Sequence, residues 1–342
     1  MGKPVVALTM GDAAGIGPEL VVKVLADPST GEICRPFVIG DRDVMRQACQ
    51  LVGAKLEIKV ISSLAEAQFA GPFIEVLCPA GLSLRQAIAG TLDPELGRAA
   101  AVCLAKAFDL ALAGEVQGVV SAPLNKQALH LAGYDYRDEL EYVADLTQSR
   151  DTYVIGAVSP SLWTIAVTEH VPFSAISGLI TREKVLQDAR RLHDALMGVG
   201  YAEPRLAVAA LNPHAGEGGL LGREEVDEIA PAIDQAKREG LHVDGPCPAD
   251  TVFVRAREGE FDGIVCMYHD QANIGRKLLA IRRGATLFMG LPVVCGTTAH
   301  GTAFDKAGMG IADPGSLFDA LRYTSMLAQA AHPSRNVAGS GG

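Results

Sequence analysis

Long apolar runs are missing from this 342-residue sequence: no stretch of about 18 apolar residues occurs, which leaves no hydropathic signal for a membrane-spanning helix. Runs of lysine or arginine are missing too. Aromatic residues make up 5% of the chain and the formal net charge is −10, so nothing in it suits a nucleic-acid surface. No Cys-x-x-Cys pair exists. The seven cysteines (34, 49, 78, 103, 247, 266 and 295) are scattered, several in apolar runs, and read as reduced, mostly buried thiols, not as a disulfide framework or a cysteine-type zinc site. The amino end has neither the apolar region nor the cleavage site of a signal peptide, which predicts a cytoplasmic protein.

What is present is 49% hydrophobic residues and 37 glycines, a composition that suits an α/β enzyme with a small-molecule ligand. The length exceeds one comfortable core, so two lobes are expected, interwoven because no linker or internal repeat divides the chain. Residues 4–9 read as a strand, and the turn from Gly11 through Gly15, Gly17 and Pro18 opens a helix. That turn is neither G-x-G-x-x-G nor a Walker A loop. It is either a tight turn or a place where backbone N–H groups approach an anion or cofactor. Further strands are expected at 37–41, 56–61, 152–157 and 285–289, with helices at 42–52, 94–113, 181–197, 224–238 and 316–331. A strand from Gly118 opens into a polar loop in which Lys126 is a surface charge or a substrate ligand. Asp250 is expected as the N-cap of a helix.

Three apolar strands, at 163–168, 206–211 and 263–267, end in histidines: His170, His214 and His269. Strand ends in open α/β sheets are where ligands bind. The spacings of 44 and 55 residues follow no local metal-binding rule, so the residues leave two readings open. One is a catalytic metal site with three protein ligands and an open position, suited to zinc, nickel, cobalt or iron. In the other, the histidines act separately as acids, bases or core hydrogen-bonders.

Seven segments in order, Met10–Glu19, Ser121–Lys126, Thr168–His170, Asn212–Glu225, Gly245–Thr251, Cys266–Gln271 and His300–Ala303, resemble the motifs of the 4-hydroxythreonine-4-phosphate dehydrogenase family. The resemblance covers roughly residues 4–330. It implies a two-lobed α/β/α fold like that of isocitrate and isopropylmalate dehydrogenases, with the active site in the inter-lobe cleft. The expected cofactor-side lobe is 1–134 plus 296–332, the expected metal, substrate and dimerisation lobe 135–295, and the tail 333–342 is expected to be flexible. The resemblance further implies a homodimer whose active site is shared between subunits, NAD or NADP as cofactor, and a divalent metal, zinc first with magnesium, manganese, nickel or cobalt as alternatives. His170, His214 and His269 become the metal ligands, one of them from the partner, and Lys277 a substrate contact. His300, Gly301, Thr302, Ala303 and Asp305 look like the cofactor loop of the wider group.

A metal chelated by the substrate's hydroxyl and carboxylate lowers the alcohol's pKa and orients its hydrogen towards the nicotinamide; a β-carboxylate then leaves from the ketone. Asp250, Asp270 and Lys126 are the candidates for orientation, proton transfer and charge, with capping the alternative for Asp250. The sequence departs from the family where phosphate would sit: Glu139 and Leu140 replace a His and a Thr, and Thr286 and Cys295 replace an Asn and an Arg. A carboxylate and a thiol beside a dianion are unfavourable. Arg276, Arg282 and Arg283 are either solvated or a carboxylate clamp. The expectation is therefore oxidation with decarboxylation of a non-phosphorylated acid such as a cis-dihydrodiol carboxylate. The alternatives are the phosphorylated hydroxythreonine reaction and a non-catalytic metal- or ligand-binding homologue.

Overall fold

The computed structural model describes residues 2–84, 87–158, 162–279 and 283–331. The expected flexible tail 333–342 and Arg282 lie outside the described residues. The chain divides into two compact units, Met1–Tyr153 with Ala285–Gly342, and Val154–Gly284. The divisions thus fall at 153/154 and 284/285, where 134/135 and 295/296 were expected. Local packing explains the shift: Tyr142 donates its hydroxyl to Ala101 O (3.2 Å), and the strand 285–289 pairs antiparallel with 294–298.

The first unit begins with β1 (Val5–Thr9), β2 (Arg35–Ile39), β3 (Glu57–Ile61), β4 (Phe73–Leu77) and β5 (Gly118–Ser121). The second holds β6 (Tyr153–Val158), which starts on the boundary residue, then β7 (Leu162–Thr168), β8 (Arg205–Ala209), β9 (His242–Cys247) and β10 (Gly263–Tyr268). The chain returns to the first with β11 (Ala285–Met289) and β12 (Val294–Thr298). Strand order is β3-β4-β2-β1-β5-β12-β11 in the first unit and β6-β7-β10-β8-β9 in the second. Within each unit every pairing is parallel except β11 with β12 and β6 with β7. Central strands such as β1 and β10 are buried along nearly their whole length, as parallel strands covered on both faces must be. The outer β3 is more exposed and carries Glu57 and Lys59, charges that blunt a sheet edge.

The helices that bear on the site are α1 (Gly17–Ala26), α2 (Arg42–Val52), α3 (Pro94–Leu112), α4 (Lys126–Leu131), α5 (Glu139–Thr147), α6 (Arg182–Gly198), α7 (Ala249–Arg257), α8 (His269–Leu279) and α9 (Gly315–Ala331). Their starts follow the caps: Asp41, Asp93, Asn125, Asp138 and Thr181 each accept a first-turn N–H. The expected cap at Asp250 is not there. Pro248 holds that position and Asp250 lies exposed in the first turn of α7. Lys126, expected in a loop, is the first residue of α4, because Asn125 caps it. β4 and α8 are among the elements with no apolar pattern to announce them. β4 is interrupted by Glu75, which is buried but satisfied by Lys59 Nζ at 2.9 Å and the amides of Gln68 and Phe69. α8 is polar, and tertiary contacts fix it: Gln271 bonds Met267 N and Ala210 O. Among the described residues no helix is long and apolar enough to cross a membrane.

Asp41 does more than cap α2, since its second oxygen accepts Leu84 N at 3.1 Å. Asp41→Ala should lower the unfolding free energy by about 2 kcal/mol, read from urea denaturation; a change below about 0.5 kcal/mol would refute this role.

Candidate functional site

In the second unit β10 pairs β7 in parallel with Tyr268 opposite Thr168, so the chain leaves both strands at one level. Thr168 Oγ1 donates to Met267 O at 2.7 Å and locks that register. The next residues are Glu169 and His170 on one side and His269 on the other. Their ligand atoms all lie within 4.8 Å of one another, and the two imidazole rings stand 5.4 Å apart. Two imidazoles and a carboxylate are a donor set for a borderline divalent metal. Asp270 Oδ1 lies 2.7 Å from His269 Nδ1, an orienting contact that leaves the opposite ring nitrogen to carry the lone pair. Glu169 was not among the expected ligands, although its place beside His170 was the available signal.

His214 is outside this group. It is exposed, with Nδ1 3.0 Å from Glu217 Oε1, in a turn where His214, Ala215, Gly216, Glu217 and Gly218 all have positive φ. Each non-glycine residue there costs about 1 kcal/mol. The turn is held by the buried Glu225, whose carboxylate accepts Leu211 N, Asn212 N and Asn212 Nδ2 at 2.7–2.9 Å.

Arg276 was read as solvated or as a clamp. It is buried, its guanidinium packed on Gly156, where a Cβ would come 2.3 Å from Nη1, and it donates to Asn273 Oδ1 at 2.5 Å. Burial pulls its pKa down while the charge of Glu169 opposes that pull, so the cation bears on the carboxylate of the candidate metal cluster. Lys277 and Arg283 are exposed.

The other expected substrate residues belong to the first unit. Glu139, first residue of α5, is 8% exposed, and its Oε1 has no hydrogen-bond partner. Burial pushes its carboxyl up to about 7, against the weaker pulls of the Ser121 hydroxyl and Lys126. Cys295 is buried in β12, its thiol pushed well up by burial and by the charge of Glu139. Thr286 faces Thr297 across β11 and β12, and Leu140 is half-buried. Asp12, in the glycine turn, went unnoticed in the sequence. It is 1% exposed with Oδ2 unpartnered, and burial pushes it up to about 6. His300, Gly301 and Asp305 are exposed, Thr302 is buried with its carbonyl accepting Ile16 N at 3.0 Å, and Ala303 has φ 42°.

Imidazoles and a carboxylate converging beyond parallel strands mark an α/β protein with a candidate metal site. The model of the family described as pyridoxal phosphate biosynthetic protein PdxA matches residues 32–324, and the chain belongs to that family. The D-threonate 4-phosphate dehydrogenase of Cupriavidus necator is 41% identical over 330 residues, 95% of this chain and 97% of that one. A crystal structure of a 4-hydroxythreonine-4-phosphate dehydrogenase from Burkholderia phymatum is similar with a TM-score of 0.80 at 40% identity, covering 96% of this chain and 99% of that one. A terephthalate 1,2-cis-dihydrodiol dehydrogenase from Burkholderia xenovorans follows at 0.66 and 29%, covering 94% and 98%.

These similarities correct the expectation of a non-phosphorylated substrate. The relatives named for phosphorylated acids stand nearer than the dihydrodiol enzyme, and the phosphorylated alternative fits better. A carboxyl pushed to about 7, such as that of Glu139, is not a fixed anion at neutral pH.

The raised Glu139 has a signed consequence. Its unfolded value is 4.5 and its folded value about 7, so the folded chain holds the proton more tightly and stability falls as pH rises through that window. Glu139→Gln should therefore gain on the wild type between pH 4.5 and pH 8, by at most about 3 kcal/mol. Urea midpoints across that range check it; a difference that stays flat with pH would show the carboxyl is not raised.

Proposed function

We propose that the chain is a metal-dependent, NAD- or NADP-linked dehydrogenase that oxidises the secondary alcohol of a phosphorylated hydroxy acid. The observation that carries this is the convergence of Glu169, His170 and His269 at paired strand ends in a chain of this family. In this reading His170 and His269 bind a divalent metal with Glu169 beside them, and His214 completes the set across a homodimer. The homodimer draws support from Phe173, Leu220 and Leu221. They follow His170 and His214 in the chain and are 75, 82 and 46% exposed, apolar surface of the kind a partner covers.

A bound metal supplies Lewis acidity that lowers the alcohol's pKa and polarises the ketone formed. The chain's own residues do the rest. Asp270 holds the His269 ring in one tautomer. Arg276, fixed by Gly156 and Asn273, keeps a positive charge near Glu169 and so near any carboxylate bound beside it. In the first unit Lys126 is the cation that acts on Glu139. His300–Asp305 is the dinucleotide side. Where the new ketone stands β to a carboxylate, loss of carbon dioxide follows oxidation.

One feature favours a second reading, a non-phosphorylated acid: neither Glu139 nor Cys295 is a cation. A substrate panel separates the two. NAD or NADP reduction with D-threonate 4-phosphate, 4-hydroxythreonine 4-phosphate and unphosphorylated hydroxy acids and dihydrodiols, with and without chelator, should give turnover with a phosphorylated acid that chelator abolishes. Turnover confined to unphosphorylated acids would favour the second reading, and no turnover with any metal-loaded sample would remove the enzyme. His269→Ala should lower kcat/KM at least about 1000-fold and remove the metal, measured by elemental analysis of the purified variant.

A further inference from the structure

The segment between β12 and α9 contains neither helix nor strand, yet it carries the His300–Asp305 stretch. Irregular backbone must find partners for its polar groups elsewhere. Here one face of α1 provides them. The carboxylate of Glu19 accepts Gly310 N at 3.1 Å and Ala312 N at 2.8 Å, and Lys23 Nζ donates to Gly310 O at 2.9 Å and Ala312 O at 2.6 Å. Two side chains one helical turn apart thus satisfy the N–H and C=O of residues two apart, the pattern a neighbouring strand would offer. Glu19 is 2% exposed, and its Oε1 lies 3.7 Å from Lys23 Nζ, so the pair is charge-compensated as well as hydrogen-bonded.

The other end is tied to the turn before the same helix. Ile16 N donates to Thr302 O, and a Cβ on Gly15 would come 2.9 Å from Thr302 Cβ, so only glycine admits the approach. Between the ties Ala303 sits at φ 42°, a conformation that alanine holds only where its surroundings impose it. The clamp turns Gly310 and Ala312 inwards and leaves Met309 and Ile311 59 and 65% exposed. Met309 and Ile311, with His300, Gly301 and Asp305, thus lie exposed on a backbone fixed at both ends.

We propose that Glu19 and Lys23 are positioning residues for the dinucleotide, holding residues 300–312 in the form that receives it. This rests on the reading of that segment as the cofactor side. The full chain, loaded with metal, is compared with Glu19→Gln, Lys23→Met and Lys23→Arg by NADH fluorescence titration and by steady-state kinetics. Glu19→Gln and Lys23→Met should each raise the NADH Kd and the KM for NAD about tenfold, with kcat and the KM for the hydroxy acid within about twofold; Lys23→Arg, which keeps the donors, should stay within about twofold throughout. Should Glu19→Gln not fold, the Lys23 position, whose side chain is 21% exposed against 2% for Glu19, gives the same reading. Unchanged dinucleotide affinity in a folded Lys23→Met, or a loss that falls on kcat and both KM values alike, overturns the clamp alone. Failure of the wild type to bind any dinucleotide overturns the clamp and the function beneath it together.

Discussion

The register between β7 and β10 is the constraint on which the candidate site depends. Parallel pairing sets Thr168 opposite Tyr268, so the chains beyond both strands emerge at the same height. Sliding one strand by a residue would reverse its side chains and carry His170 and His269 apart. What prevents the slip is the apolar filling of both sheet faces, from Trp163 and Ile165 on β7 to Ile264 and Val265 on β10, together with the Thr168 hydroxyl on Met267 O. Two histidines 99 residues apart in sequence become a pair because two strands share hydrogen bonds.

The chain keeps several charges out of water, each fastened differently. Glu225 holds the left-handed turn bearing His214 through three N–H donors, and Glu19 and Lys23 fasten backbone beside the expected cofactor loop. Arg276 is fixed against Gly156. Asp12 and Glu139 lack such partners on one oxygen, and burial raises both instead. The fastened charges serve geometry. The unfastened ones are groups whose protonation varies near neutral pH.

Much of the architecture was legible because apolar runs and caps announce themselves. The helix expected at 42–52 is there, and the strand expected at 263–267 is there from an unbroken apolar run. β4 was hidden because Glu75 breaks its pattern, and only the fold reveals Lys59 across the strand. α8 was hidden because its helix is stabilised by Gln271 and neighbouring elements and not by its own periodicity. For the site, the histidines could be nominated from their places after strands. Glu169 had only its place beside His170 as a signal, because neither β-strand register nor side-chain convergence is written in local sequence. The relatives, not the residues at 139, 140, 286 and 295, favour a phosphorylated acid, and the burial that raises the Glu139 carboxyl is not written in the sequence.

X-ray absorption at the metal edge tests the central claim most directly. In the zinc-loaded protein the account predicts one tightly held metal per chain with at least two imidazole nitrogens at about 2.0–2.1 Å, oxygen completing the sphere and no sulfur. A sphere built from cysteine sulfur, or a metal whose imidazole scattering survives substitution of both His170 and His269, would contradict it.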